Sequence, residues 1–317
     1  MSEPSPPPPE HEPAPPGYGP PPGYGPAPAT RIPLAHPAGD PSDPLISGDY
    51  AGWWRRNVAI LRAYWRPLLA LQLLGAAVAL VLRLPADIVM ALWSPDLQIM
   101  STDDRAEILR TLTAALPSFG LGGLGSFLEA LATTVALLAG IRLVTVAVTG
   151  GRPEVGAALR GAVRRLFPLV GWGLLAGLIV LAGICACFFP GLYFVAVFTV
   201  LPGVVLFERG GAVRRCFMLF HADLVAALAR VATVVALVTA GSLLTTVVGG
   251  VVDVAADTAG TTGPLVAATI VVTLFDVLVG VALGMLLTPL VLTTYADERA
   301  RREVLHSGML AAELRMD

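Results

Sequence analysis

Two carboxylates, Glu129 and Asp276, lie within long apolar stretches of the chain. An ionised side chain is costly inside a bilayer, so one that is retained there marks a function or an internal partner. If both stretches cross a membrane, the two carboxylates lie at comparable depth, about eight and eleven residues from the same face at ~1.5 Å per residue. Such a pair could share a proton or a cation. In the alternative that we favour, each accepts hydrogen bonds from neighbouring Ser, Thr or Arg side chains.

Five arginines form a second candidate site, and all lie in two short segments between apolar stretches. They are Arg160, Arg164, Arg165, Arg214 and Arg215. Across residues 153–166, apolar residues recur at helical spacing while the arginines lie off that stripe. This pattern predicts an interfacial helix whose apolar face enters the acyl chains of a membrane and whose arginines contact anionic lipid head groups. Two further arginines, Arg83 and Arg142, are predicted near opposite membrane faces, where a long side chain can reach head groups.

Patterns typical of enzymes are missing from the sequence. None of the four histidines has a partner at metal-ligand or catalytic-triad spacing. No GxSxG, HExxH, Walker A or dinucleotide-binding fingerprint occurs. The three cysteines, Cys185, Cys187 and Cys216, are predicted to be inert packing residues. We therefore expect no enzyme activity, no metal and no cofactor.

The composition requires a membrane environment. Of 317 residues, 55% are hydrophobic and only 14% charged, and the mean hydropathy is +0.73, which is far more apolar than a soluble domain. The apolar residues come in separate blocks, each about the ~20 residues that cross a bilayer core. The net charge of -2 gives no electrostatic reason to expect nucleic acid as a partner. The expected partners are membrane lipids, and a protein partner is left open.

We predict an all-α transmembrane bundle with six spans. The predicted spans cover residues 68–93, 121–149, 169–188, 192–207, 224–252 and 265–294. The fourth is shorter than the usual ~17 to 25 residues and contains Pro202. All 21 basic residues are arginine, and most of them flank the spans on one side. Because positive residues are retained in the cytoplasm, both termini are predicted there, in the cell membrane.

Residues outside the spans divide into two tails around a six-span domain at 49–298. Residues 1–48 are rich in Pro and polar residues, with PPGYGP at 15–20 and again at 21–26. A segment with so little to bury is predicted to be disordered. It acts as a solvating spacer or, alternatively, binds a Pro-recognition module. Residues 299–317 form a second cytoplasmic tail.

Short repeats and small-residue pairs predict further organisation. The stretch GAVRRLF at 161–167 reappears as GAVRRCF at 211–217, which favours three units, each an interfacial helix followed by a transmembrane hairpin. Gly173 and Gly177, and likewise Gly280 and Gly284, lie four residues apart, a spacing that lets helix backbones approach closely. We expect these glycines to pack spans against each other within one molecule.

Three stretches together resemble a known family. They are Leu201-Pro202 through Phe207-Glu208-Arg209-Gly210-Gly211, the arginine-rich helix that follows, and Tyr295-Ala-Asp297-Glu298-Arg299 continuing to Glu303. With the Pro-rich tail, they resemble bacterial multi-pass proteins related to the glycerophosphoryl diester phosphodiesterase membrane domain. The resemblance covers residues 50–317 and implies a polytopic topology. The family's separate catalytic domain has no counterpart here, so no catalytic residue is carried over.

The sequence supports two principal hypotheses for function. The first is a non-enzymatic membrane protein whose arginine-bearing helices bind anionic lipid head groups or a partner. The second is a transporter of a small molecule, lipid or ion that uses Glu129 and Asp276, with a discontinuous helix at Pro202. The third hypothesis is a phosphodiesterase, which the family's name suggests.

Overall fold

The computed structural model describes residues 43–93, 105–258 and 262–315. Within these ranges the regular structure is entirely α-helical, which confirms the predicted fold class. The predicted disorder of residues 1–42 concerns residues outside the described ranges and stays a prediction.

The helices differ widely in length. They are α1 (Tyr50–Trp93), α2 (Arg105–Val148), α3 (Val155–Arg164), α4 (Leu166–Ala186), α5 (Phe188–Phe198), α6 (Leu201–Phe207), α7 (Ala212–Phe220), α8 (Leu224–Asp257), α9 (Thr262–Ala300) and α10 (Ser307–Arg315). In the described residues, six helical segments are long and apolar enough to cross a bilayer: Tyr50–Leu92, Gly120–Val148, Leu166–Ala186, Phe188–Phe207, Leu224–Ala256 and Thr262–Ala300. The chain is a multi-pass integral membrane protein, as predicted.

The fourth span is a broken helix. It consists of α5 and α6, and Pro202 lies at the start of α6, where its missing N–H removes no helical hydrogen bond. The turn that leads into this span lies at Cys187, whose backbone is extended, and Pro190 and Gly191 lie inside α5. Gly191 lies inside α5 and faces Gly183 of α4, and a Cβ at position 183 would lie 3.0 Å from the Gly191 nitrogen. These glycines allow α4 and α5 to form a tight hairpin.

The centre of the bundle is formed by α1, α2 and α9, which pack against one another. Small residues allow this approach: a Cβ on Gly140 of α2 would lie 2.7 Å from a Thr288 methyl of α9. The predicted packing role of the glycine pairs is correct for Gly284, which lies against Gln72 of α1. It is wrong for Gly173, Gly177 and Gly280, because a Cβ at any of these positions would meet nothing within 4 Å.

Both ends of the described chain lie at one end of the bundle. The backbone N–H of Ser307 donates to the Asp43 carboxylate at 2.8 Å. Leu45 and Ile46 are buried, so residues 43–48, which we had assigned to the tail, are packed onto the helices. We call this end, which also carries α3, α7 and α10, the arginine-rich end.

The short helices α3 and α7 form where the repeat predicted them, but they are not structurally equivalent. The GAVRR stretch runs across the end of α3, whereas in the second copy it begins α7. The segment before the first span is a short helix that meets the span at a kink at Tyr64, where the backbone is not helical. A short helix therefore precedes each of the three transmembrane hairpins, as the three-unit interpretation predicts, but the repeated sequence does not take the same place in α3 and α7. The apolar face of α3 packs on α2, with Ala158 and Ala162 buried, rather than facing acyl chains.

Candidate functional site

A cavity of about 310 Å³ opens at the arginine-rich end, and we call it the arginine pocket. Its lining residues are Arg142, Gly161, Arg164, Arg165, Pro168 and Arg209. They come from the end of α2, from the junction of α3 and α4, and from the loop after α6. Four guanidinium groups thus line one cavity, and none of the described residues that line it is acidic.

Local backbone features create this pocket. A Cβ at position 161 would collide with the Arg142 guanidinium, so only glycine lets α3 lie on that side chain. The helix then ends at Arg164, and the Arg165 N–H donates to the Ala162 carbonyl at 3.0 Å. Because Ala162 is buried, Arg164, two residues further along the helix, faces away from the core. Arg164 is exposed and Arg165 is half-buried.

The five arginines predicted to bind lipid divide into three groups. Arg164 and Arg165 lie together in the arginine pocket, joined by Arg142 and Arg209, which the sequence did not single out as partners. Arg160 and Arg214 are exposed and do not line the pocket, and the Nε of Arg160 donates to the Gly156 carbonyl at 3.3 Å. Arg215 forms the third group, because its guanidinium pairs with carboxylates of the protein itself.

Arg215 belongs to a set of ion pairs that we call the terminal network, formed by Glu208, Arg215, Arg299, Glu303 and Glu313. Its Nε lies 2.6 Å from Glu208, and its Nη2 pairs with Glu303. Burial alone would lower the pKa of Arg215, but Glu303 and Glu208 outweigh it and raise the pKa. Arg299 donates to both oxygens of Glu313 at 2.8 Å. The network therefore fixes α7 and α10 to the end of α9.

Tyr295 links the terminal network to α6. Its hydroxyl donates to Glu208 at 2.9 Å and accepts from Arg299 at 3.0 Å. Its ring stacks on Phe207 with a centroid distance of 5.4 Å. The three sequence stretches that carry the family resemblance thus meet in one place, which explains their composition by structure alone.

No family model, curated protein or solved structure matches the chain. The resemblance to the membrane domain described above therefore stays a prediction. The description of the site rests on this chain's own geometry.

The two intramembrane carboxylates also converge, on Arg83 of α1. Its guanidinium lies 3.0 Å from Glu129 of α2, 3.1 Å from Asp276 of α9 and 3.0 Å from Asp87. Thr273 donates to Asp87 at 3.0 Å. We call Arg83, Asp87, Glu129 and Asp276 the intramembrane cluster. The expectation that Arg83 reaches the head groups is wrong, because three carboxylates hold its side chain.

A small cavity of about 30 Å³ adjoins the intramembrane cluster on the side of the arginine-rich end. Glu129, Thr133, Asp276 and Gln72 line it with apolar and small residues of α1, α2 and α9. A volume of this size holds a single water molecule. Gln72 lies eleven residues before Arg83 in α1, about 16 Å nearer the arginine-rich end along the helix.

A third group of charges, buried at the arginine-rich end, was not expected from the sequence. Arg230 of α8 pairs with Asp297 of α9 at 3.0 Å, and both side chains are buried. Neither oxygen of the neighbouring Glu298 has a hydrogen-bond partner among the described residues, although this residue is only 1% exposed. The two adjacent acidic residues, Asp297 and Glu298, at the end of the last apolar span were the sequence signal for this group.

The cysteines differ in environment. Burial, together with the charges of Glu298 and Glu208, raises the pKa of Cys216 to about 12. Cys185 and Cys187 are exposed at the opposite end of the bundle. Within the described residues, no group of three or more His, Cys, Asp and Glu side chains is arranged to hold a metal ion.

Proposed function

We propose that this protein is non-enzymatic and binds anionic phospholipid head groups at its arginine-rich end, on the cytoplasmic face of a bacterial cell membrane. The observation that carries the proposal is the arginine pocket, where four guanidinium groups line one cavity. A phosphate group provides both the negative charge and the oxygen acceptors that guanidinium groups bind most strongly.

The charge distribution supports the cytoplasmic assignment. Arginine is concentrated at the end of the bundle that carries the pocket, and positive residues are retained on the cytoplasmic side. The cytoplasmic leaflet is anionic, and each nearby arginine contributes roughly 1 kcal/mol to the attraction between the protein and that leaflet. The exposed Arg160 and Arg214 add to this general attraction. Arg215 is not assigned to it, because carboxylates already hold its guanidinium.

Electron paramagnetic resonance of spin-labelled lipids tests the proposal. The full-length protein is reconstituted in phosphatidylcholine with either spin-labelled phosphatidylglycerol or spin-labelled phosphatidylcholine. We expect the wild-type protein to immobilise the anionic label preferentially. Replacing Arg164 and Arg165 together by Gln should lower that preference by at least about tenfold for each charge removed, because each guanidinium also donates charge-assisted hydrogen bonds to the phosphate.

The matched control for this test is Arg302→Gln, since Arg302 is exposed at the same end and does not line the pocket. Removing this one exposed charge should lower the preference for the anionic label by no more than about fivefold, the general attraction of a single surface arginine. Equal immobilisation of the two labels by the wild-type protein would refute head-group binding. If the control lost as much preference for the anionic label, per charge removed, as the double variant, the attraction would be one of nonspecific surface charge.

The intramembrane cluster favours a second candidate function, cation-coupled transport. Three carboxylates surround one guanidinium, so an excess of negative charge would lie in the bundle if all were ionised. Burying such an excess is unfavourable, and a bound proton or cation would relieve it. The adjoining cavity has room for a small ion or a water molecule.

Proton uptake into liposomes tests this second candidate. The protein is reconstituted around a trapped pH-sensitive dye, and a pH gradient is applied. A transporter should lose uptake when Glu129→Gln and Asp276→Asn are combined, but keep it in Asp253→Asn, an exposed position outside the cluster. No uptake above that of protein-free liposomes, or uptake unchanged in the double variant, rules out this role for the carboxylates.

A further inference from the structure

An apolar cleft of about 250 Å³ lies between α2, α4 and α6. Leu137 of α2, Leu169 and Gly173 of α4, and Pro202 of α6 are among its lining residues, and nearly all of the others are apolar. Phe127 and Leu174, also in the lining, are exposed in the isolated chain. In a membrane the cleft therefore opens sideways to the acyl chains.

The cleft and the arginine pocket lie on the same three segments. Pro168 lines the pocket, and its neighbour Leu169 lines the cleft, so both cavities reach the start of α4. Arg165, which directly precedes α4, lines the pocket, whereas Leu169 and Gly173, four residues apart on one face of α4, line the cleft. The charged pocket therefore lies next to a cleft whose lining is apolar.

The same order holds on α2. Leu131, which lines the cleft, and Arg142, which lines the pocket, are eleven residues apart. Eleven residues are about three helical turns, so both side chains lie on one face, separated by roughly 16 Å along the axis. Charged and apolar surfaces thus succeed each other in the direction from the membrane surface towards its middle, as the parts of a phospholipid do.

We infer that this combined site takes one diacyl glycerophospholipid, with its phosphate in the arginine pocket and one acyl chain in the cleft. The inference rests on the proposed head-group binding and narrows the class of ligand from any anionic phosphate compound to a lipid. A soluble phosphate ester would occupy only the arginine pocket. The acyl chain of a lipid also packs against the cleft lining, a van der Waals contact that a soluble phosphate ester does not make.

Gly173 provides a direct way to fill the cleft. A Cβ at this position would meet nothing within 4 Å, so a larger side chain enters open space without displacing a helix. Gly177, one turn further along α4, has equally free surroundings and does not line the cleft. Gly173→Leu and Gly177→Leu therefore add the same side chain to the same helix, and only the first occupies the acyl-chain path.

The test measures binding of phosphatidylglycerol to the full-length protein in neutral detergent by titration calorimetry. Gly173→Leu should weaken binding by roughly tenfold, because the added side chain occupies the acyl-chain path and overpacks it. Gly177→Leu should bind like the wild-type protein. Glycerol 3-phosphate, added as a competitor, should displace the lipid only weakly.

The outcomes separate the inference from the proposed function on which it rests. If Arg164→Gln with Arg165→Gln loses binding while Gly173→Leu binds normally, head-group binding stands and the acyl-chain site is refuted. Equal weakening by both leucine variants also refutes the acyl-chain site. Full displacement by glycerol 3-phosphate assigns the pocket to a soluble phosphate. Unchanged binding in all variants overturns both proposals.

Discussion

Arg230 and Asp297 form a buried ion pair in which Nη2 and Oδ2 lie 3.0 Å apart. Asp297 also accepts a hydrogen bond from the backbone N–H of Ser47. The pair therefore joins α8, α9 and the segment that precedes α1 at the arginine-rich end. Taking two charges out of water is costly, and their mutual attraction offsets this cost only while both are present. Removing one partner leaves the other charge buried and uncompensated.

Removing one partner of this pair should destabilise the protein strongly. We expect Arg230→Met to lower the free energy of unfolding by about 3–5 kcal/mol, because the Asp297 carboxylate is then uncompensated. Combining Arg230→Met with Asp297→Leu should restore most of the stability. Thermal unfolding in detergent, followed by tryptophan fluorescence, measures both. A double variant as unstable as the single one would contradict this account.

Gly203 of α6 should tolerate no side chain. A Cβ there would lie 2.6 Å from the Tyr295 ring, which is itself held by Phe207 and Glu208. Gly203→Ala should therefore cost about 1–3 kcal/mol through overpacking. Gly177→Ala, where the space is open, is the matched control in the same unfolding assay. Equal stability of the two variants would show that α6 and Tyr295 are not packed as described.

Cysteine labelling should reveal the orientation of the chain. Cys187 is exposed at the turn between α4 and α5, at the end opposite the arginine-rich end. A membrane-impermeant maleimide added to intact cells should therefore label it, whereas Cys185→Ser with Cys187→Ser should remain unlabelled. Cys216 should resist labelling even after permeabilisation, because it is buried and its pKa is raised to about 12. Labelling only in inverted vesicles would reverse the proposed topology.

The terminal network should lose stability in acid. Burial alone would raise the pKa of Glu303, but hydrogen bonds from Arg215 and Arg299 outweigh it and lower the pKa. A lowered folded-state pKa stabilises the protein above the ordinary glutamate value, about 4.3, and the contribution disappears as the pH falls through the lowered value. The difference in melting temperature between wild type and Glu303→Gln should thus shrink below pH ~4. A difference in melting temperature that does not depend on pH would contradict this assignment. The control variant is Glu154→Gln, since Glu154 is exposed.

The sequence predicted the spans well because apolar length alone determines them. All six appear in the described residues, and the break at Pro202 lies where proline chemistry placed it. The repeat predicted a short helix before each of two spans but not its bounds, since GAVRR ends α3 and begins α7. Helical periodicity also does not reveal whether an apolar stripe meets lipid or protein, and for α3 it meets α2.

The candidate sites were predicted only in part. Glu129 and Asp276 were found because charge in an apolar stretch is conspicuous, but the convergence on Arg83 depends on how three helices rotate about their axes. Arg142 and Arg209 join Arg164 and Arg165 across long sequence separations, and no local pattern encodes that meeting. Residues in tertiary contact lie beyond what periodicity and spacing can predict.

Native mass spectrometry tests the central claim most directly. Full-length protein is extracted from its own membrane in mild detergent, and lipids that remain bound in the gas phase are identified. We predict one anionic glycerophospholipid on the wild-type protein and on Arg302→Gln, and its loss when Arg164 and Arg165 are both replaced by Gln. A wild-type protein without bound anionic lipid, or a double variant that retains it equally well, would contradict the account.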